Sequence, residues 1–230
     1  MKLKDAVVLI TGANRGIGLA FAQEALARGA RKVYAAARNP SQITLAGVIP
    51  VKLDVTSAED VTAAARACQD VTLVVNNAGI ARLGGLQSPE THDSARTHFE
   101  TNVMGVLRMM QAFAPILKSN GGGAFINVLS VASWINSGAM TAYGVSKAAA
   151  WSLTNGLRNE LKPQHTQVLG LHVGFVDTDL TKGLDVPKAS PQSVVQQAFD
   201  ALEAGLSEVL ADECSRTIKQ GLTATPPVYI

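Results

Sequence analysis

Charge, aromatic rings and cysteine are all scarce in this chain of 230 residues, and each scarcity removes a class of protein. Charged side chains make up 17% and nearly cancel to a net +2, with no run of lysines or arginines, so the basic footprint of a nucleic-acid binder is missing. The two cysteines, Cys68 and Cys214, lie far apart, which leaves no disulfide framework and reads as a pair of reduced thiols. Histidine gives no metal centre either. His92 and His98 fall on different helical faces, and His165 and His172 have no partners at ligand spacing. No apolar stretch approaches the ~18 residues of a membrane span. Met1–Asp5 runs straight into a short apolar segment without a cleavable leader pattern, so a cytoplasmic location is expected. What the chain does have is apolar side chains, at 47%, enough for a large core in one domain over residues 1–230 and for buried subunit contacts.

Short β-branched runs alternate with longer alanine-rich amphipathic segments. The runs Ala6–Thr11, Lys32–Ala36, Val48–Leu53, Val71–Asn76, Ala124–Leu129 and Val168–Val173 read as strands, each apolar enough to be covered on both faces. Helices are expected over Gly16–Arg28, Ala58–Cys68, Thr91–Lys118 with one break, Tyr143–Leu161 and Pro191–Ala204. Ser57-Ala58-Glu59-Asp60 predicts a capping box on the second of these. Arg38–Gly47 is too short for a full crossover helix and predicts a turn or a helical fragment. Such alternation is the pattern of an α/β protein: a single-domain, Rossmann-like, doubly wound parallel sheet with helices on both faces.

Thr11-Gly12-Ala13-Asn14-Arg15-Gly16-Ile17-Gly18 ends the first strand and opens the first helix, the context of a dinucleotide-binding turn. Glycine lets the backbone approach a pyrophosphate, and the helix N-terminus offers unpaired N–H groups. A plain glycine-rich connection would look similar, and three residues rather than one separate Gly12 from Gly16. At the end of the second strand, Ala35-Ala36-Ala37-Arg38 lacks the carboxylate that would hold the ribose of NAD. Arg38 and Arg15 together suit the 2′-phosphate of NADP(H), although either alone could be a solvated surface residue. Asp54 and Val55 follow the third strand, where a carboxylate and a backbone amide could hold adenine or simply end the strand.

Asn76-Asn77-Ala78-Gly79 closes the fourth strand at the carboxyl edge of the sheet, with Ala78 and Gly79 small enough to admit a ribose. Ser130 closes the fifth, thirteen positions before Tyr143. Tyr143 and Lys147 stand four apart and so share a helical face. A fixed ammonium beside a phenol stabilises phenolate and draws the phenol pKa down toward the operating pH. Each of these signals alone is weak.

Together they resemble the short-chain dehydrogenase/reductase family, in its single-domain form, over nearly the whole chain. Thr11–Gly18 is similar to the family's TGxxxGxG turn and Asn76–Gly79 to its NNAG. Asn102 resembles its asparagine, and Ser130, Tyr143 and Lys147 its serine and YxxxK. The resemblance implies that Tyr143 exchanges a proton with the substrate oxygen and that Lys147 tunes it and holds the nicotinamide ribose. Ser130 would polarise a carbonyl, and Asn102 would hold a water relay through its backbone. Read without the family, Asn102 is a polar break in a long helix. Gly174, Val176 and Thr178 would contact the nicotinamide carboxamide and pyrophosphate. Val173 stands where the family usually has proline, which predicts a less rigid turn. Asp179–Ser190, which would cover the substrate, is short and predicts a small or open lid. Val131, Trp134, Ile135, Met140 and Phe175 flank these positions and could wall an apolar pocket or be core. The implied activity is NADP(H)-dependent interconversion of a small-molecule carbonyl and its alcohol. The alternative is a cofactor-sensing protein on the same fold. An extended epimerase would need more than Ser190–Ile230 for its substrate domain. Family members pair through the helix corresponding to the one that opens at Tyr143, which implies a homodimer or homotetramer.

Overall fold

The computed structural model describes residues 1–85 and 87–230. Seven strands form one sheet: β1 (Val7–Thr11), β2 (Lys32–Ala37), β3 (Ile49–Lys52), β4 (Leu73–Asn76), β5 (Gly123–Val128), β6 (Thr166–His172) and β7 (Glu208–Leu210). They lie in the order 3-2-1-4-5-6-7, and every pairing is parallel. The helices are α1 (Gly16–Ala27), α2 (Ala58–Ala67), α3 (Thr91–Phe99), α4 (Gly105–Ser119), α5 (Thr141–Leu161), α6 (Pro191–Glu203) and α7 (Glu213–Gly221).

The apolar runs are continuous because both sheet faces are covered. In β1, Val8 and Ile10 pack with Phe21 of α1 and Phe199 of α6, while Val7 and Leu9 pack with Met109 and Phe113 of α4. The rings of Phe21 and Phe199 meet edge-on at 5.2 Å and stitch α1 to α6. Each fully buried side chain of this size contributes about 1.5–3 kcal/mol, so the two clusters hold the sheet rigid beneath its carboxyl edge.

Two local outcomes differ from the sequence reading. β3 is exposed along much of its length, because Arg38–Gly47 supplies only a short 3₁₀ turn, Pro40–Gln42, and no covering helix. The one break expected in the long helix falls at Glu100–Met104, a π-helical turn that contains Asn102. Only half of the capping box forms. Ser57 caps α2 through the Asp60 N–H at 3.1 Å, but the Asp60 carboxylate turns to Lys52 and the Asp54 N–H. Two elements carry no sequence signal. β7 has three residues, too few for periodicity, and α7 is polar, with Ser215 its only buried residue. Both cysteines are free thiols, and among the described residues no helix is long and apolar enough to cross a membrane.

Candidate active site

The sheet order reverses direction between β1 and β4, which opens a crevice outside their carboxyl ends. The glycine turn forms one wall. Gly12 has φ +65° and Gly16 φ +55°, a left-handed backbone that L side chains rarely adopt. Gly18 is constrained by space. A Cβ there would lie 2.1 Å from the Gly12 carbonyl oxygen and 2.6 Å from Asn77 Nδ2. The Asn77 amide donates to the carbonyls of Thr11, at 2.9 Å, and Gly12, at 3.1 Å, while Thr11 Oγ1 accepts from the Asn77 and Ala78 N–H groups. The β4 end and the glycine turn are therefore one hydrogen-bonded unit. Ile17 packs on the core below, and Asn14 donates to Gln42.

At the far end of this wall Arg38 is exposed and, among the described residues, forms no ion pair. Arg15 reaches across the crevice to Asp179 at 2.7 Å, with both side chains largely exposed. The Asp54 carboxylate is taken up locally, accepting from the N–H and hydroxyl of Thr56. Val55 is buried against Gly105, where a Cβ would come within 2.7 Å of its methyl.

Tyr143, Lys147, Ser130 and Asn102 converge on the other side of the crevice. Tyr143 and Lys147 lie in the first two turns of α5, with the Lys147 ammonium 5.8 Å from the centre of the Tyr143 ring. The Ser130 hydroxyl pulls the phenol pKa down and caps the turn that follows β5, accepting from the Ala132 N–H. That turn is pinned to α5 by Ser133 Oγ donating to the Lys147 carbonyl at 3.0 Å. The π-helical turn presents the Asn102 side chain inward, where its Nδ2 donates to the Ile80 carbonyl and Ser146 Oγ, and its Oδ1 accepts from the Ile80 N–H. A Cβ on Gly79 would lie 3.1 Å from Asn102 Oδ1 and 3.8 Å from Lys147 Nζ, so glycine keeps this space open.

The electrostatics correct one expectation. Lys147 does not draw the Tyr143 pKa down; burial raises it, and only the Ser130 hydroxyl pulls the other way. The reason is that the lysine is itself desolvated. Burial brings its ammonium from 10.5 down to about 8, and Nζ donates to the Val128 carbonyl at 2.9 Å rather than to the phenol oxygen.

The turn after β6 completes the crevice. Gly174 is pressed by α7, with Cys214 Sγ 2.8 Å from where a Cβ would stand. Val176 is buried in the core, and its carbonyl accepts from Thr181 Oγ1 and Thr178 Oγ1. Thr178 faces Gly16 across the crevice, its methyl 3.3 Å from the position of a Cβ on that glycine. Between Asp179 and Ser190 the chain makes one short 3₁₀ turn and leaves Leu180, Leu184 and Val186 exposed, as an open cover would.

The expected pocket residues separate. Phe175 is exposed, Met140 bridges to Gly84 beside the start of α5, and Ile135 is half-buried. Val131 is buried, its N–H donating to the Val173 carbonyl. Trp134 belongs to packing elsewhere. Its ring stacks on buried His172 at 4.1 Å, meets Trp151 edge-on and lies under Lys219 of α7. His172 is pushed below its usual pKa by burial, while Glu208, 3.2 Å away, is held at about 2, first by its hydrogen bond with that histidine.

His98 is a site neighbour that the sequence does not announce. It is fully buried on α3, with its ring edge-on to Tyr143 at 6.1 Å. Its Nε2 accepts from the Arg82 N–H at 3.1 Å and its Nδ1 faces the Ser94 carbonyl at 2.7 Å, which together select the neutral Nδ1–H tautomer. The histidine thereby ties the chain after Gly79 to the helix beside Tyr143. Sequence spacing holds no signal for this, because the partners are backbone groups.

Comparison with known proteins agrees with this architecture. A family model described as short chain dehydrogenase matches residues 6–188. An uncharacterized oxidoreductase of Staphylococcus aureus (strain MW2) is 30% identical over 214 residues, covering 87% of this chain and 92% of that protein. A short chain dehydrogenase from Burkholderia cenocepacia J2315, solved in complex with NADP, is 38% identical with a TM-score of 0.94, covering 98% of this chain and 96% of that one. A short chain dehydrogenase/reductase from Burkholderia phymatum, solved in complex with NAD, is 26% identical with a TM-score of 0.86, covering 96% and 94%.

Proposed function

This chain belongs to the short-chain dehydrogenase family of oxidoreductases, and from that premise we propose that it uses NADP(H) to interconvert a small carbonyl compound and its alcohol. The observation that carries the reading is the convergence of Tyr143, Lys147, Ser130 and Asn102 on one wall of a crevice whose opposite wall is the glycine turn.

The residues fit a dinucleotide. Gly12, Gly16 and Gly18 leave a wall without side chains at the N-terminus of α1, and Gly79 keeps open the space beside Asn102 and Lys147. NADP and NAD complexes both occur among the similar structures, so the choice rests on this chain's own residues. Arg38 follows β2, whose end carries no carboxylate, and Arg15 lies in the glycine turn with its guanidinium now paired with Asp179; a 2′-phosphate drawing on both arginines favours NADP(H). When bound, the nicotinamide supplies or accepts the hydride.

Everything else is done by side chains. With its pKa raised by burial, Tyr143 is a neutral phenol at pH 7 and can donate its proton to a carbonyl oxygen. Ser130, whose hydroxyl draws the phenol pKa down, orients the same oxygen. Lys147 is mostly an ammonium at pH 7. Its charge suits the ribose hydroxyls of the cofactor. Asn102 holds the loop after Gly79 in register with α5 through Ser146. Phe175, Met140 and Ile135 are the apolar groups left to meet a substrate.

Tyr143→Phe tests the assignment. In a screen of ketones, aldehydes, quinones and imines, turnover of any substrate found should fall by at least about a hundredfold, as for loss of a general acid, while NADPH binding is kept. Full activity in the variant would remove Tyr143 from the mechanism. We also propose that copies of the chain pair through the groove between α3 and α5, where Phe99 and Val145 are exposed.

A further inference from the structure

We propose that Asp212, on the C-terminal unit β7–α7, is a positioning residue for the cofactor turn Val173–Thr178. The proposal rests on the dinucleotide reading of the crevice. Asp212 lies outside residues 6–188, where the family model matches, and in elements without a sequence signal.

β6 ends at His172, and the chain must then leave the sheet in a shape that presents Gly174, Val176 and Thr178 to the crevice. On its sheet side this turn is held by the Val131 N–H donating to the Val173 carbonyl at 2.9 Å. On its outer side it is held by Asp212. The Asp212 carboxylate accepts from the Gly174 N–H at 2.6 Å with Oδ2 and from the Ser215 N–H at 2.7 Å with Oδ1. One carboxylate thus caps α7 and anchors the turn in the same charge-assisted geometry. The preceding Ala211 N–H donates to the His172 carbonyl at 3.1 Å, so Asp212 is delivered by backbone pairing and not by a mobile loop. Close contact leaves little freedom, because a Cβ on Gly174 would meet Cys214 Cβ at 2.7 Å and Sγ at 2.8 Å. Gly174 therefore stands where the first turn of α7 puts it, and Asp212 sets the height of the turn.

The bond and the cap can be separated by substitution. Asp212→Ser keeps a hydroxyl that can cap α7 but is too short to reach the Gly174 N–H, whereas Asp212→Ala loses both contacts. NADPH and NADH dissociation constants, read by titration of cofactor fluorescence, are compared with thermal midpoints for both variants and the wild type. Loss of the charge-assisted bond from the Gly174 N–H, which holds the turn at the nicotinamide end that both cofactors share, should weaken both roughly tenfold in both variants. The midpoint should fall by no more than about 3 °C in Asp212→Ser and by about 2–4 °C further in Asp212→Ala.

Wild-type affinity in Asp212→Ser overturns the proposal. So does an affinity loss confined to Asp212→Ala that follows its midpoint. If Asp212→Ser weakens both cofactors but Arg15→Ala with Arg38→Ala does not discriminate NADPH from NADH, the 2′-phosphate assignment falls and the positioning role stands. A wild-type protein that binds neither dinucleotide overturns both.

Discussion

Replacing Lys147 with methionine should stabilise the fold while abolishing turnover. Lys147 is 9% exposed, and its ammonium is held at about 8 against an ordinary 10.5, with burial as the cause. The folded state therefore binds the proton more weakly than the unfolded state. Below about pH 8 both states carry the charge, and the folded state bears the full cost of burying it. As pH rises through the folded value toward 10.5, the folded protein gives up its proton first, so stability increases over that window. At about 1.4 kcal/mol per tenfold change in proton affinity, the gap amounts to about 3 kcal/mol. The variant loses the bond from Nζ to the Val128 carbonyl, a loss of about 1 kcal/mol. Lys147→Met should then be more stable than wild type by about 2 kcal/mol at pH 7, with the difference shrinking as pH approaches 10. Urea unfolding of both proteins at pH 7, 8.5 and 9.5 measures it. Tyr143, whose raised pKa has the opposite effect at high pH, is common to both proteins and cancels. A variant less stable than wild type at pH 7, or a difference independent of pH, would refute the argument that burial of the charge dominates.

The cofactor preference can be checked separately. Arg15→Ala combined with Arg38→Ala should weaken NADPH far more than NADH, on the scale of about 1.5–3 kcal/mol for each lost charge-assisted contact, and equal losses in calorimetric titrations would remove the phosphate assignment. For assembly, sedimentation at micromolar concentration should give a species of at least twice the 24.0 kDa chain mass, and Val145→Glu should dissociate it. A monomer in the wild type would set the pairing proposal aside.

Most of the central sheet is legible in the sequence because apolar strands covered on both faces leave continuous runs, and Val7–Thr11 and Leu73–Asn76 are such runs. β3 is legible as a strand but not as an exposed edge, since its exposure depends on a helix that Arg38–Gly47 is too short to form. The glycine turn is legible for a related reason. Gly18 tolerates no side chain against the Gly12 carbonyl, so the geometry is written into the residue type. His98, Asp212 and Asp179 leave no such mark. Each makes its contact with a distant segment, to the Arg82 N–H, the Gly174 N–H or Arg15, and a polar side chain at a given position does not name its partner.

Residue types and their spacing by themselves determined the parallel α/β architecture, the glycine-rich entry to α1 and the grouping of Tyr143 with Lys147. These rest on local rules: strand and helix periodicity, the backbone freedom of glycine, and the four-residue repeat of a helical face. Only the tertiary structure decided the electrostatics and the bracing. The spacing of Tyr143 and Lys147 implied a phenol with a lowered pKa, yet burial raises it, because desolvation depends on everything packed around the pair. The turn after β6 is likewise anchored by a carboxylate 38 residues further along the chain, a contact that exists only once β7 has docked beside β6.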